Sequence, residues 1–196
     1  MEQDKLGVVE IPTSEQLTDE LIRVKYKQRY RKLLKTTFYS LLVVAAISVL
    51  IATLFLPVLE IYGNSMSPTL TNGQIVVSVK TDNLKRGDIC CFYYNNQILV
   101  KRVIGKAGDV IVIEKDGTVL VNGEKLDEPY VAEKTEDDSD IEYPYTVPER
   151  ELFVLGDNRT TSVDSRNALI GCIGEEEIVG KIVFCVWPLS SFGKVD

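Results

Sequence analysis

Not one histidine occurs among the 196 residues. That absence removes Ser-His-Asp and Cys-His catalysis, and with them most zinc sites, which draw on imidazole. Any general base must then be Lys, Asp, Glu, Tyr or the N-terminal amine. Paired-cysteine metal spacing is missing too, since Cys90, Cys91, Cys172 and Cys185 form no Cys-x-x-Cys. Cys90 and Cys91 would face opposite sides of a strand. Buried free thiols are the expected state of the four, with a disulfide as the alternative. A surplus of positive charge is also lacking: the net charge of -7 argues against nucleic acid as a partner. No internal repeat is found, and neither a metal nor another cofactor is expected.

What the chain does have is one long apolar run. Residues 38–59 read FYSLLVVAAISVLIATLFLPVL without a charge, about the 20 residues a membrane helix needs. A cleavable signal peptide fits poorly, because its apolar region would be shorter and earlier and no Ala-x-Ala site follows. Arg23, Lys25, Lys27, Arg29, Arg31, Lys32 and Lys35 precede the run, and Glu60 is the first charge after it. The positive-inside rule therefore predicts a single-pass protein with its N-terminus in the cytoplasm and residues 60–196 on the outer face. Residues 1–35 carry eight Lys and Arg against six Asp and Glu, residues 36–196 fourteen against twenty-three. Leu17, Leu21 and Val24 stand near helical spacing, so the cytoplasmic segment 1–35 is expected to hold a basic juxtamembrane helix that leans on anionic lipid of the bilayer and continues into the span 36–59. Residues 1–13 are expected to be disordered.

Beyond the span, helical periodicity nearly vanishes and short β-rich runs take over. Strands are predicted over residues 74–80, 89–94, 97–104, 110–114, 118–121, 152–155 and 177–187. Asn95-Asn96, Asp116-Gly117 and Asn122-Gly123 are the expected hairpin turns. The fold class is thus all-β, a coiled sheet or partly closed barrel, preceded by one N-terminal transmembrane helix. Residues 133–149, acidic and containing Pro144 and Pro148, are expected as a solvated loop.

Three stretches carry candidate chemistry. Just past the span comes Ile61-Tyr62-Gly63-Asn64-Ser65-Met66-Ser67-Pro68-Thr69-Leu70. A Gly- and Pro-punctuated turn can present a serine oxygen and leave backbone N–H groups free, although a plain surface turn has the same composition. Without histidine, a serine nucleophile needs a lysine that is neutral at working pH. The free amine titrates near ~10.4, so burial or a positive neighbour must lower it. Lys101 in Ile98-Leu99-Val100-Lys101-Arg102-Val103-Ile104 and Lys181 in Val179-Gly180-Lys181-Ile182-Val183-Phe184 both sit in apolar runs. In a strand Lys101 faces with Leu99 and Val103 while Arg102 faces with Val100 and Ile104, so one of the two is held among apolar side chains. Arginine cannot surrender its proton, which leaves Lys101. The third stretch, residues 156–167, is dense in small polar and charged groups, and Asp164 and Arg166 could pair to fix it.

Taken in order, Ser65-Met66-Ser67-Pro68-Thr69-Leu70, Arg86-Gly87-Asp88-Ile89, Lys101-Arg102-Val103-Ile104-Gly105 with Gly108-Asp109, and the loop from Gly156 to Arg166 resemble the successive boxes of type I signal peptidases. The single span and short insertion resemble the compact Gram-positive members. The resemblance implies a Ser-Lys dyad with Ser65 as nucleophile and Lys101 as general base. It implies further that Ser162 orients the lysine amine and that Asp164 and Arg166 hold the loop. Gly63 stands where Gram-negative relatives carry a serine that supports the oxyanion, so the hole would rest on backbone, with the N–H of Ser65 as one donor and the second donor open. Leu99 stands where many relatives have tyrosine.

The function so implied is a membrane-anchored serine endopeptidase of the bacterial cell membrane that removes N-terminal signal peptides from exported preproteins, cleaving after small residues. Two alternatives carry different tests. A specialised Ser-Lys peptidase for one exported substrate, such as a pilin, would fail on a mixed panel of preproteins. A catalytically inactive membrane-tethered β scaffold would not be acylated at Ser65. Self-cleaving repressors share the Ser-Lys pair, but they carry a DNA-binding domain where this chain has its span.

Overall fold

The computed structural model describes residues 13–81, 83–136 and 138–195, so the disorder expected of residues 1–13 lies outside the described residues except at Thr13, which is ordered as a helix cap. The chain divides into two compact units, residues 1–51 and 52–196. One helix, α1 (Ser14–Phe55, 42 residues), takes in both the expected basic helix and most of the apolar run. Its start is a capping box: the Thr13 N–H donates to Gln16 Oε1 at 3.0 Å and the Gln16 N–H to Thr13 Oγ1 at 3.4 Å. At 1.5 Å per residue the helix is about 63 Å long, twice what a bilayer core requires. Its apolar side chains, among them Leu41, Val44 and Ile47, are exposed among the described residues. The helix ends short of the apolar run because Pro57 has no N–H to continue it and pushes Leu56 toward extended backbone. Val58 and Leu59, read above as the tail of the span, instead belong to a strand.

The second unit is β-rich. In chain order its strands are β1 (Val58–Glu60), β2 (Ile75–Val79), β3 (Ile89–Tyr94), β4 (Gln97–Lys106), β5 (Val110–Ile113), β6 (Val119–Val121), β7 (Glu124–Lys125), β8 (Tyr145–Thr146), β9 (Glu151–Leu155), β10 (Ile173–Gly174), β11 (Ile178–Trp187) and β12 (Gly193–Lys194). They form an eight-stranded sheet in the order β1-β2-β11-β3-β4-β9-β10, with β12 beside β11, and a four-stranded sheet β7-β6-β5-β8. All pairings are antiparallel. Among the described residues neither ladder joins its own ends, so what stands is a mostly β architecture behind one long apolar helix.

Local sequence explains the main hairpins. Asn95 and Asn96 both take positive φ, 44° and 64°, in the two-residue connection of β3 to β4. That is the type I′ geometry whose twist matches the strands it joins. Asn122 and Gly123 do the same between β6 and β7, at 54° and 81°. The segment 133–149 departs from its expected state as a solvated loop. Ile141, Tyr143 and Tyr145 pack against the cluster of Ile104, Ile111, Val119 and Phe153, Val147 is fully buried in it, and Tyr145–Thr146 pairs with β5. The reason is an alternation hidden by prolines and acids: 141, 143, 145 and 147 point inward while Glu142, Pro144 and Thr146 stay outside.

Candidate active site

Ser65 sits in the connection between β1 and β2. The Ile61 N–H donates to the Gln74 carbonyl and the Gly73 N–H to the Ile61 carbonyl, both at 2.8 Å, closing residues 61–74 into a loop. Ile61, Met66 and Leu70 anchor it in the core beside Val76, Ile89 and Ile182. A buried Met66 next to a half-exposed Ser65 is what aims the hydroxyl outward from a fixed base.

Lys101 lies in the middle of β4, opposite Cys90 of β3. Its Nζ is 2.9 Å from Ser65 Oγ and hydrogen-bonded to it, and the residue is only 4% exposed. Burial pushes the amine's pKa below its usual 10.5; Asp164 pulls it back and Arg166 adds to the fall. Desolvation disfavours the ammonium because no carboxylate touches it directly. The neutral amine then has a lone pair that can accept the serine proton at the same distance. Lys181, the other lysine in an apolar run, meets no serine: its Nζ bonds Asp88 Oδ1 at 2.6 Å. Both Lys101 and Arg102 are buried, which corrects the expectation that only one of the two faces is dry. The larger sheet covers β4 on both flanks, with β3 and β9 as neighbours.

Arg102 is neutralised by a residue that sequence reasoning passed over. Leu155 stands opposite Arg102 in the β4–β9 register, and two residues on, Asp157 falls on the same side. Arg102 Nε donates to Asp157 Oδ1 at 2.9 Å and Nη2 to Oδ2 at 2.7 Å; the Thr69 hydroxyl donates to Oδ2 at 2.6 Å. Thr69 belongs to the Ser65 loop, so one buried carboxylate ties that loop to the strand of Lys101. A buried arginine beside the candidate base was the available signal, because such a charge needs a carboxylate partner.

The loop 156–167 completes the site. The Asn158 N–H donates to the Ser65 carbonyl at 3.0 Å. Gly156 packs so closely that a Cβ there would lie 2.5 Å from that carbonyl oxygen and collide with the Ser162 side chain. Asp164 accepts the Gly156 N–H at 3.0 Å and two bonds from Arg166, at 2.9 and 3.1 Å. Arg166 also donates to the Arg159 carbonyl at 2.8 Å and the Ser162 carbonyl at 3.2 Å. Ser162 Oγ is buried without a hydrogen-bond partner among the described residues, so it stands in the site but does not bond the lysine. The Gly63 N–H donates to Asn72 Oδ1 at 2.9 Å, which engages it away from any oxyanion. Gly63 adopts φ +86° with nothing within 4 Å of an added Cβ, so the backbone conformation and not crowding favours glycine there. The Ser65 N–H has no acceptor among the described residues.

The cysteines are unbridged: Cys90, Cys91 and Cys185 are buried and Cys172 partly so. Burial raises the Cys90 thiol to about 12 and the Cys172 thiol to about 11, which keeps both protonated and unreactive.

Comparison with known proteins identifies the family. Signal peptidase I of Bacillus licheniformis is 36% identical over 171 residues, covering 80% of this chain and 90% of that one. Signal peptidase IB of Staphylococcus aureus strain COL is 41% identical over 152 residues, covering 67% and 78%. A crystal structure of a signal peptidase I from Enterococcus faecalis is similar at a TM-score of 0.44 and 34% identity, over 50% of this chain and 96% of that one. Residues 32–187 match the family described as signal peptidase, peptidase S26, and to that family this chain belongs.

Proposed function

We propose that Ser65 is the nucleophile and Lys101 the general base with which this membrane-anchored signal peptidase removes N-terminal signal peptides from exported preproteins. The observation that carries the assignment is the 2.9 Å contact between Lys101 Nζ and Ser65 Oγ at a lysine that is 4% exposed. Ser65 Oγ attacks the scissile carbonyl carbon as its proton passes to Lys101. The C–N bond then breaks, the lysine returns the proton to the departing amine, and the acyl group stays on Ser65. Lys101 next takes a proton from water, which attacks the ester carbon, and passes that proton to Ser65 Oγ as the C–O bond breaks and the signal peptide leaves with a new carboxyl end. The Ser65 N–H is the first oxyanion donor. Asp164 and Arg166 act by holding the loop, and Ser162 has room to accept or donate once the lysine changes charge. Gly63 takes part through its turn geometry and not as a donor.

The substrate lies as an extended strand with small side chains before the cut. Residues 1–35 face the cytoplasm, where basic side chains meet anionic lipid; residues 36–55 of the helix span the bacterial cell membrane, and the β unit that begins with the Val58 strand works on its outer face. In this reading the larger sheet is partly closed, and the two register shifts in β11, between Ile182 and Phe184 and between Cys185 and Trp187, are where it bends. The test uses full-length protein in lipid vesicles with a preprotein substrate. Ser65→Ala and Lys101→Ala each lower turnover by a factor on the order of 10² to 10⁴ with the near-ultraviolet dichroism unchanged. A folded Lys101→Ala protein cleaving at the wild-type rate overturns the dyad.

A further inference from the structure

In the connection from β7 to β8 of the smaller sheet lies a short stretch, Glu128-Pro129-Tyr130, that belongs to none of the motif-bearing stretches. Its two side chains meet the two arginines that hold the turn at Gly156 and Asp157. Glu128 pairs through Oε1 with Arg159 Nη2, and both side chains are almost fully buried, Glu128 at 2% and Arg159 at 4%. Arg159 Nε in turn donates to the Gly156 carbonyl at 3.1 Å. The Tyr130 ring lies flat under Arg102, 3.9 Å from guanidinium carbon to ring centre, and Arg102 makes the two-pronged bond to Asp157. Tyr130 and Glu128 are themselves joined, the Tyr130 hydroxyl donating to Glu128 Oε1 at 3.2 Å. One strap therefore grips Gly156 through one arginine and Asp157 through the other.

That turn is what locates the nucleophile. Gly156 packs against the Ser65 carbonyl, Asn158 donates to it, and Asp157 accepts from Thr69. On the other side Arg102 is chemically bonded to Lys101, whose amine is the group to be aimed. We propose that Glu128 and Tyr130 are positioning residues for the Ser65–Lys101 pair. They fix the turn that backs Ser65 and, through Arg102 and Asp157, hold Thr69 of the loop that presents Ser65 to Lys101 and keeps water from the amine. The inference rests on the dyad reading above and adds residues that the reaction does not touch. A cation over an aromatic face is worth more when desolvated, and a buried carboxylate opposite a buried guanidinium leaves a bare charge when removed. Both contacts therefore resist displacement more than their size suggests. Misplacement of reacting groups by about 1 Å can cost 10²-fold in rate.

The test compares Glu128→Gln, Tyr130→Leu and Tyr130→Phe as full-length proteins in lipid vesicles, with Ser65→Ala and Lys101→Ala alongside. Glu128→Gln and Tyr130→Leu are expected to lower kcat by a factor on the order of 10 to 100, with KM within about twofold. The acid limb of the kcat/KM profile moves to higher pH, because water reaching Lys101 returns its pKa toward the ordinary value. Tyr130→Phe keeps the ring under Arg102 and restores most of the rate lost in Tyr130→Leu. A strap that merely stabilises the fold would lower the melting temperature and leave kcat and the acid limb unmoved in the folded protein; that result overturns the inference. Should Tyr130→Leu not fold, a folded Glu128→Gln with wild-type kcat and an unmoved limb overturns it equally, and unfolding of both variants while Tyr130→Phe is wild-type also does, since it makes the strap purely structural. Turnover persisting in Ser65→Ala or Lys101→Ala would instead sink the dyad and is read separately.

Discussion

Lys101 and Lys181 lie in one row across the larger sheet, with Cys90 of β3 opposite the first on one side and opposite the second on the other. Each lies in a largely apolar run, with Arg102 the one other charge in the first, and each was a candidate base on that ground. The structure separates them by what closes over the two ends of the row. At one end the Ser65 loop and the 156–167 loop cover Lys101, which hydrogen-bonds a hydroxyl. At the other, the Lys181 side chain is 33% exposed and bonds the Asp88 carboxylate. Apolar flanks put a lysine on a strand; a neutral partner and a dry lid are what the proposed base has in addition.

The largest effect expected from this contrast is on Lys101→Met, which loses turnover by a factor on the order of 10² to 10⁴ while gaining stability. The sign follows from linkage. The unfolded chain keeps the Lys101 proton up to about 10.5, whereas the folded protein releases it at lower pH. Across that window the unfolded state binds more protons, so wild-type stability rises with pH and is lower below the depressed folded value. The methionine variant lacks this dependence. Its unfolding free energy minus that of wild type should therefore be largest near neutral pH and shrink as pH approaches 10.5. Denaturant titrations at pH 7, 9 and 10.5 measure it, and a difference that does not change with pH breaks the comparison.

Much of this arrangement was legible in the sequence, and the failures have physical causes. The strand runs around Lys101 and Lys181 and the Asn95-Asn96 turn announce themselves through alternation and left-handed turn residues, which are local properties. Residues 141–147 also alternate, but Pro144 and the neighbouring acids mask the pattern because they occupy the outward positions. Val58 and Leu59 read as membrane because hydropathy does not register the helix-stopping effect of Pro57. Within the site, Lys101 bonds Ser65, and Arg166 bonds Asp164 and the Ser162 carbonyl. The carboxylate that neutralises Arg102 was hidden in plain view: Asp157 finds it only through the β4–β9 register, a long-range fact. Glu128 and Tyr130 had no signal at all, since nothing local marks a connection that will lie against two arginines.

At the other end of the row the expected effects are smaller. Asp88 accepts two donors, Lys181 Nζ on Oδ1 and the Lys85 N–H on Oδ2 at 2.9 Å. An asparagine has one acceptor oxygen, so Asp88→Asn leaves one of the two donors without its bond. The loss is about 0.5 to 1.5 kcal/mol of stability with turnover retained, read from the midpoint of chemical unfolding. A larger loss, or a fall in turnover, would mean that the two ends of the row are coupled through Cys90.

Lys181→Met should do least. The methionine keeps an apolar stem of similar reach on β11 and removes only the ammonium. Asp88 keeps its bond to Lys85 and is left near water, so the stability change should stay within about 1 kcal/mol and shrink in high salt. Turnover should remain within about twofold of wild type, against the loss of at least about 10²-fold at Lys101. Two lysines one residue apart across the same sheet would then differ by two powers of ten in catalytic weight for the sake of a serine and a lid. If Lys181→Met instead depressed turnover as far as Lys101→Met, the distinction between a lysine beside a hydroxyl and a lysine beside a carboxylate would carry no catalytic meaning. The base would have to be sought in the row as a whole.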